Sequence, residues 1–179
     1  DDSKLRDVFL SQPGRYLPLC GTFTQDVMRG PSPLSVAQRE LIAAYVSRLN
    51  ACRYCAGVHT AVAEDNGVAA GTVEALIDDL NAADVEPKLA PILAYVRKLT
   101  EAPHRMGRAD YDAVMAAGWD ERALGDAIAI CALFNFFNRL VEGHGIKGTE
   151  EGFAQSTRFL SEFGYESFLR EAAEKEASR

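Results

Sequence analysis

Cys52-Arg53-Tyr54-Cys55 and, four residues further on, His59 place two thiols and an imidazole within eight residues. On a helix, at about 100° per residue, positions 52, 55 and 59 fall within about 60° of one another. Both sulfurs and the ring would then share one stripe. Residues three apart on a helix also meet the Cα separation that a disulfide needs. The thiolate is the reactive form of cysteine, and a nearby base or cation raises its population. The spacing therefore points to thiol redox chemistry, with a thiol, a partner thiol and a proton acceptor close together.

The remaining chemistry-bearing residues read as structural. Cys20, in Pro18-Leu19-Cys20-Gly21, and Cys131, in the apolar run 127–134, read as packed, inert thiols. His104 lies between Pro103 and Arg105 and reads as a loop residue, while His144, between Gly143 and Gly145, reads as a helix end. Asn135, Asn138 and Arg139 interrupt an apolar helix and need partners if buried. They read as structural polar links or subunit contacts. The glycines at 143, 145 and 148 follow no strand, so they do not form a phosphate loop.

The elements that must position the cysteines are helices. Helix starts and stops recur along the chain, and no alternating strand pattern is found. A short helix is expected after Ser3, broken by Pro13-Gly14, then a segment from about Tyr16 to Met28. Gly30-Pro31-Ser32-Pro33 is a firm break. Ser35 with Gln38 makes a capping box for a helix running to about Leu49. Asn50-Ala51 turns the chain into the cysteine helix, which stops at Asn66-Gly67. Further helices are expected over Thr72–Leu80, Pro87–Glu101, Arg108–Ala117 and Asp120–Glu142, then Thr149–Phe163 and Tyr165–Ala177. The longest apolar run, residues 127–134, is too short to span a bilayer and reads as buried helix.

The helix ahead of the cysteines has two uncharged faces. Leu41, Ile42, Tyr45, Val46 and Leu49 form a bulky arc, and Val36, Ala43, Ala44 and Ser47 form a face of small residues that also carries Glu40. Such a helix is covered on most sides. A carboxylate on the small-residue face goes inside only with a partner, so Glu40 is a candidate functional acid.

Bulk properties fit one domain over residues 1–179. Hydrophobic residues make up 47% of the chain, enough for a core. The net charge of −7 argues against binding nucleic acid or an anionic membrane. Four cysteines are too few for a disulfide scaffold of this size. With no secretory leader recognised, the expected location is the cytoplasm. No bound cofactor or metal is called for: zinc cysteines usually sit on a turn, and no second CxxC is present.

Glu40, eleven intervening residues, then Cys52-x-x-Cys55-x-x-x-His59 resembles the core motif of the alkylhydroperoxidase D family, within the carboxymuconolactone decarboxylase-like superfamily. Pro33-Leu34-Ser35, Glu40-Leu41-Ile42 and Ser47-Arg48-Leu49-Asn50 resemble it too, so the core spans about residues 34–67. Phe134 to His144 is similar to the later part of the peroxidase-related branch. The resemblance implies an all-α fold that self-associates as dimers, trimers or hexamers. It also implies reduction of a hydroperoxide through a Cys52–Cys55 disulfide, with Glu40 and His59 as proton relay and a dithiol reductant of lipoyl type. One departure stands out: the residue before the second cysteine, histidine in the best-known members, is Tyr54 here. The superfamily also contains decarboxylases without the cysteine pair.

On this reading His59 takes a thiol proton, Glu40 orients the ring, a thiolate attacks the peroxide oxygen, and the resulting sulfenic acid condenses with the second cysteine. An external dithiol reopens the disulfide. Cys55, one turn from His59, is favoured as the attacking sulfur, with Cys52 the more exposed, resolving one; the helix dipole, however, also favours a thiolate at Cys52. The alternatives are a redox sensor or disulfide-exchange protein without peroxidase turnover, and a purely structural pair.

Overall fold

The computed structural model describes residues 5–80 and 85–166, and among these every regular element is helical. The elements run α1 (Leu5–Ser11), α2 (Pro13–Leu17), a π-helical turn (Pro18–Phe23), α3 (Thr24–Arg29), α4 (Val36–Leu49) and α5 (Arg53–Asp65). There follow α6 (Thr72–Asp78), α7 (Ala90–Glu101), α8 (Arg108–Ala116), α9 (Glu121–Gly143) and α10 (Glu150–Phe163), with single 3-10 turns at Pro87–Leu89 and Pro103–Arg105. The expected all-α fold is what forms.

Helix α4 is the centre of the molecule. It starts at the capping box: Ser35 Oγ accepts from the Gln38 amide at 3.2 Å, and Gln38 Oε1 accepts from the Ser35 amide at 2.9 Å. Every residue from Arg39 to Ser47 is buried, as its two uncharged faces require. Its small-residue face, with Ala43, Ala44 and Ser47, lets α5 approach closely, and α9 packs on it as well.

Helix α9 contributes Ala127, Ile130, Cys131, Phe134 and Phe137 to the core. It is longer than its apolar run suggests. Asp120 caps its start by accepting from the Ala123 amide at 2.8 Å, and its 23 residues are long and apolar enough to cross a membrane by length and composition. Half of its most apolar 18-residue window is buried inside the protein.

Helix α10 lies along α5 because two glycines make room for Phe153. A Cβ on Gly57 would come within 2.9 Å of the Phe153 ring, and one on Gly148 would collide with both Phe153 and Tyr54.

Three expectations change. The chain breaks at Gln12 rather than within Pro13-Gly14, because Pro13 sits in the first turn of α2, where its missing N–H costs nothing. The 16–28 segment is two α-helices separated by the π-helical turn. Cys52 is not on the helix: it is the N-cap residue, with extended φ −83° and ψ 94°. The helical Tyr165–Ala177 segment lies largely outside the described residues; Tyr165 itself is irregular and buried.

Ala51, in the turn before Cys52, holds a left-handed φ of 52°. This conformation costs an alanine about 1–2 kcal/mol and a glycine little. After allowance for the greater freedom of glycine in the unfolded chain, Ala51→Gly should raise stability by about 0.5–1 kcal/mol. For a chain of this size that is about 1–4 °C in Tm, readable in a thermal melt.

Candidate active site

Cys55 and His59 are one turn apart on α5, and both line a partly open cavity of about 130 Å³. The rest of its wall is mostly apolar: Phe9 from α1, Val58 from α5, Phe134 and Phe137 from α9, and Phe159 and Leu160 from α10. Cys20, carried on the π-helical turn, Tyr165, just beyond α10, and the polar groups of Tyr54, Gln155 and Ser156 also line it.

Glu40 lies behind His59 and is fully buried. Its Oε2 is 2.6 Å from His59 Nδ1. Its Oε1 meets Arg29 Nη1 at 2.6 Å and accepts the Tyr165 hydroxyl at 3.1 Å. Burial works against the carboxylate charge, but His59 and Arg29 outweigh it and hold Glu40 below its ordinary pKa. An ionised Glu40 can only accept, so Nδ1 of His59 carries a hydrogen. Nε2 is then the nitrogen left for the cavity. Phe134 meets the imidazole edge-on, at 4.5 Å between centroids, and Tyr165 lies nearly parallel to it at 6.5 Å.

The two cysteines are unlike. All four cysteines of the chain are free thiols. Cys55 donates to the Cys52 sulfur, which holds Cys52 below the usual thiol pKa despite its burial, with a further contribution from the Cys55 backbone amide. The same hydrogen bond, then burial and the Cys52 charge, push Cys55 well up, against the help of Asn138. The first thiolate of the pair is therefore Cys52, at the α5 N-terminus, where the helix dipole also favours it.

The expectation that Cys52 is the more exposed sulfur does not hold. Cys52 is 0% exposed and Cys55 3%. The expected single stripe is also lost, since Cys52 is off the helix. It borders a separate open cleft of about 550 Å³, shared with Arg48, Arg53, Glu74 and Glu150.

Tyr54 turns into the apolar cavity, with its hydroxyl 3.2 Å from Ser156 Oγ and its ring edge-on to Phe153. Burial raises its pKa, so it remains a hydrogen-bond donor and does not replace histidine as a base. Asn138 and Asn135 are the polar links expected of them. Asn138 donates to Ser47 Oγ at 3.0 Å, and Asn50 donates to both Asn138 and Asn135. Asn138 also reaches the Cys55 sulfur, a role sequence reasoning missed. His104 and His144 are exposed and away from the cavity. Among the described residues no three His, Cys, Asp or Glu side chains are grouped to hold a metal ion.

Arg29 and Tyr165 were not singled out from sequence. Neither carries a local signal: Arg29 reads as a basic residue at a helix end, and Tyr165 as an aromatic after a glycine.

Residues 16–97 match the carboxymuconolactone decarboxylase family, a stretch that holds Arg29, Glu40, both cysteines of the pair and His59. A peroxidase-related protein of Silicibacter sp. TM1040, uncharacterised, is 27% identical in sequence and superposes with a TM-score of 0.67, covering 74% of this chain and 69% of that one. By this match and this superposition the chain resembles the carboxymuconolactone decarboxylase family and a peroxidase-related protein. An AhpD-core, peroxidase-related protein of Ralstonia eutropha JMP134, also uncharacterised, shares the fold with a TM-score of 0.75 at 23% identity, covering 84% of this chain and 78% of that one. No curated protein matches this chain.

Proposed function

We propose that the protein is a thiol-dependent reductase of organic hydroperoxides. The observation that carries this reading is the shared wall of the apolar cavity, where Cys55 lies beside His59 while Glu40 occupies the other ring nitrogen.

The hydroperoxide enters the cavity with its hydrocarbon part against the phenylalanines. His59 Nε2 takes the Cys55 proton as the sulfur attacks the terminal peroxide oxygen. The O–O bond breaks, the proton passes to the departing alkoxide, and an alcohol and a Cys55 sulfenic acid result. Cys52, already the thiolate of the pair, attacks the Cys55 sulfur. Hydroxide leaves, is protonated to water, and the Cys52–Cys55 disulfide forms. An external dithiol then attacks the disulfide and returns both cysteines to thiols, becoming a disulfide itself. The charged cleft beside Cys52 is the side open to this reductant. A lipoyl-type carrier is the class that the family resemblance suggests, and a reducing cytoplasm is where such a pair would be recycled.

Cavity size sets a preference. Apolar cavities of about 150 Å³ take up benzene, and each buried methylene is worth about 0.8 kcal/mol. Two of them exceed the 1.4 kcal/mol of a tenfold difference. In steady-state peroxide consumption with a panel of dithiol donors, kcat/KM for an aromatic hydroperoxide such as cumene hydroperoxide should exceed that for hydrogen peroxide by at least about tenfold. Equal values would remove the cavity from the mechanism, and no turnover with any donor would remove the peroxidase reading.

One observation favours a second reading. Tyr54 adds no base, so a redox sensor or disulfide-exchange protein could use the same pair without peroxidase turnover. Oxidation by one equivalent of peroxide without cycling would identify it.

Self-association belongs to the same proposal. Phe136 on α9 is 42% exposed, Phe23 46% and Phe163 45%, and apolar surface of this kind is what subunit interfaces cover. Light scattering at micromolar concentration should give at least twice the 19.5 kDa chain mass. A clean monomer that still consumes peroxide would overturn it.

A further inference from the structure

Two arginines lie near Glu40, Arg39 buried and Arg29 partly so, and they do different things. Arg39 donates to the Val27 and Gly30 carbonyls at 3.2 and 2.9 Å, tying the end of α3 to α4. Arg29 instead puts its guanidinium on Glu40 Oε1 at 2.6 Å and stacks over the Tyr165 ring at 5.1 Å. Tyr165 is itself held in place, since its backbone amide donates to Gln25 Oε1 at 2.7 Å and its hydroxyl to Glu40. One carboxylate oxygen is thus filled by Arg29 and Tyr165, and the other faces His59 alone.

The consequence is a charge balance. A buried carboxylate demands a compensating positive charge. If His59 were its sole partner, the imidazole would be drawn to protonate and would then have no lone pair to offer a thiol. With Arg29 supplying the charge, the imidazole can stay neutral and still donate from Nδ1. The other groups facing this centre do not supply that charge. Tyr165 and Cys20 stay protonated, Cys55 is a neutral donor to Cys52, Tyr54 is a phenol, and α9 offers Phe134 and Phe137. Arg39 acts on Glu40 through space only.

We infer that Arg29 is a positioning residue that takes up the charge of Glu40, so that His59 rests as a neutral base with Nε2 free. This rests on the reading of His59 as the proton acceptor for Cys55. Arg29 touches neither the cysteines nor the cavity, so it acts through Glu40.

Nitrogen-15 NMR of the three histidines, in the reduced full-length protein, tests the inference without requiring peroxidase turnover; the exposed His104 and His144 serve as internal standards. The parent His59 should be neutral and Nδ1-protonated near pH 7. In Arg29→Met its titration midpoint should rise by about one pH unit, the lower end of what a neighbouring charge does. The acid limb of the thiol-oxidation rate should move by the same amount, with the high-pH plateau retained. Arg29→Lys, which keeps the charge, should behave as the parent. A parent His59 that is already cationic near pH 7 overturns the inference, whether or not any variant folds. So does a folded Arg29→Met protein whose His59 titrates as in the parent. Correct histidine behaviour in a protein that consumes no peroxide would leave the inference standing and remove the peroxidase reading instead.

Discussion

Replacing Cys55 with Ser should abolish peroxide consumption. Cys55 is the sulfur on the cavity wall, and a serine hydroxyl neither ionises near neutral pH nor forms a sulfenic acid. Cys52→Ser should behave differently. It should reduce one equivalent of hydroperoxide, stop at a sulfenic acid that a dimedone-type reagent can trap, and fail to cycle. In the parent, mass spectrometry after mild peroxide treatment should show loss of two hydrogens within one peptide that holds both residues. Cys20 is the stringent control because it lines the same cavity. Burial pushes its thiol up to about 12 and, unlike Cys55, it has no hydrogen-bonded thiol among the described residues to close a disulfide with, so it should remain free. Cys131, raised by burial as well, should also remain free. A linkage through Cys20 or Cys131, or full activity of Cys55→Ser, would overturn the assignment.

His59→Ala should slow thiol oxidation by about 10²–10⁴-fold, the usual worth of a positioned acid–base group. Glu40→Gln should fall in the same range. Because the two act as one unit, the double variant should be little worse than either single one. Stopped-flow oxidation of the reduced proteins measures this, and parental rates in both single variants would return Glu40 to a purely structural role. The pH dependence follows from Glu40. Its folded carboxyl titrates below the ordinary value of 4.5, so the stability it contributes is fully present above that pH and is lost as the pH falls through the folded value. Acid unfolding should therefore be shallower in Glu40→Gln than in the parent, from a lower starting stability.

What was legible in the sequence was what short-range physics dictates. The Ser35–Gln38 box, the Asp120 cap and the Asn66-Gly67 stop depend on neighbours within a few residues, and each forms where expected. The burial of Glu40 was readable from the two uncharged faces of α4, and its pairing with His59 from the family spacing. Other features depend on contacts that leave no local trace. Tyr165 reaches Glu40 across 125 positions. Arg29 is aimed by a break at Gly30 and by a π-helical turn that no periodicity announces. The position of Cys52 outside the helix follows from the left-handed turn at Ala51, where a non-glycine residue gives no warning. The burial of Cys52 likewise differs from what a position at a helix start suggests.

Glu40 on α4 and its three partners, from α3, α5 and the segment after α10, meet only when the whole chain has closed. No partly folded state that lacks any one of these elements can offer His59 as a supported base. The protein should therefore be chemically quiet until folding is complete, and its cysteine pair should lose its special reactivity at the same denaturant concentration at which the helices melt. Catalysis in this molecule would serve as a readout of its own folding, and a newly made chain would be shielded from premature oxidation of the thiols it needs.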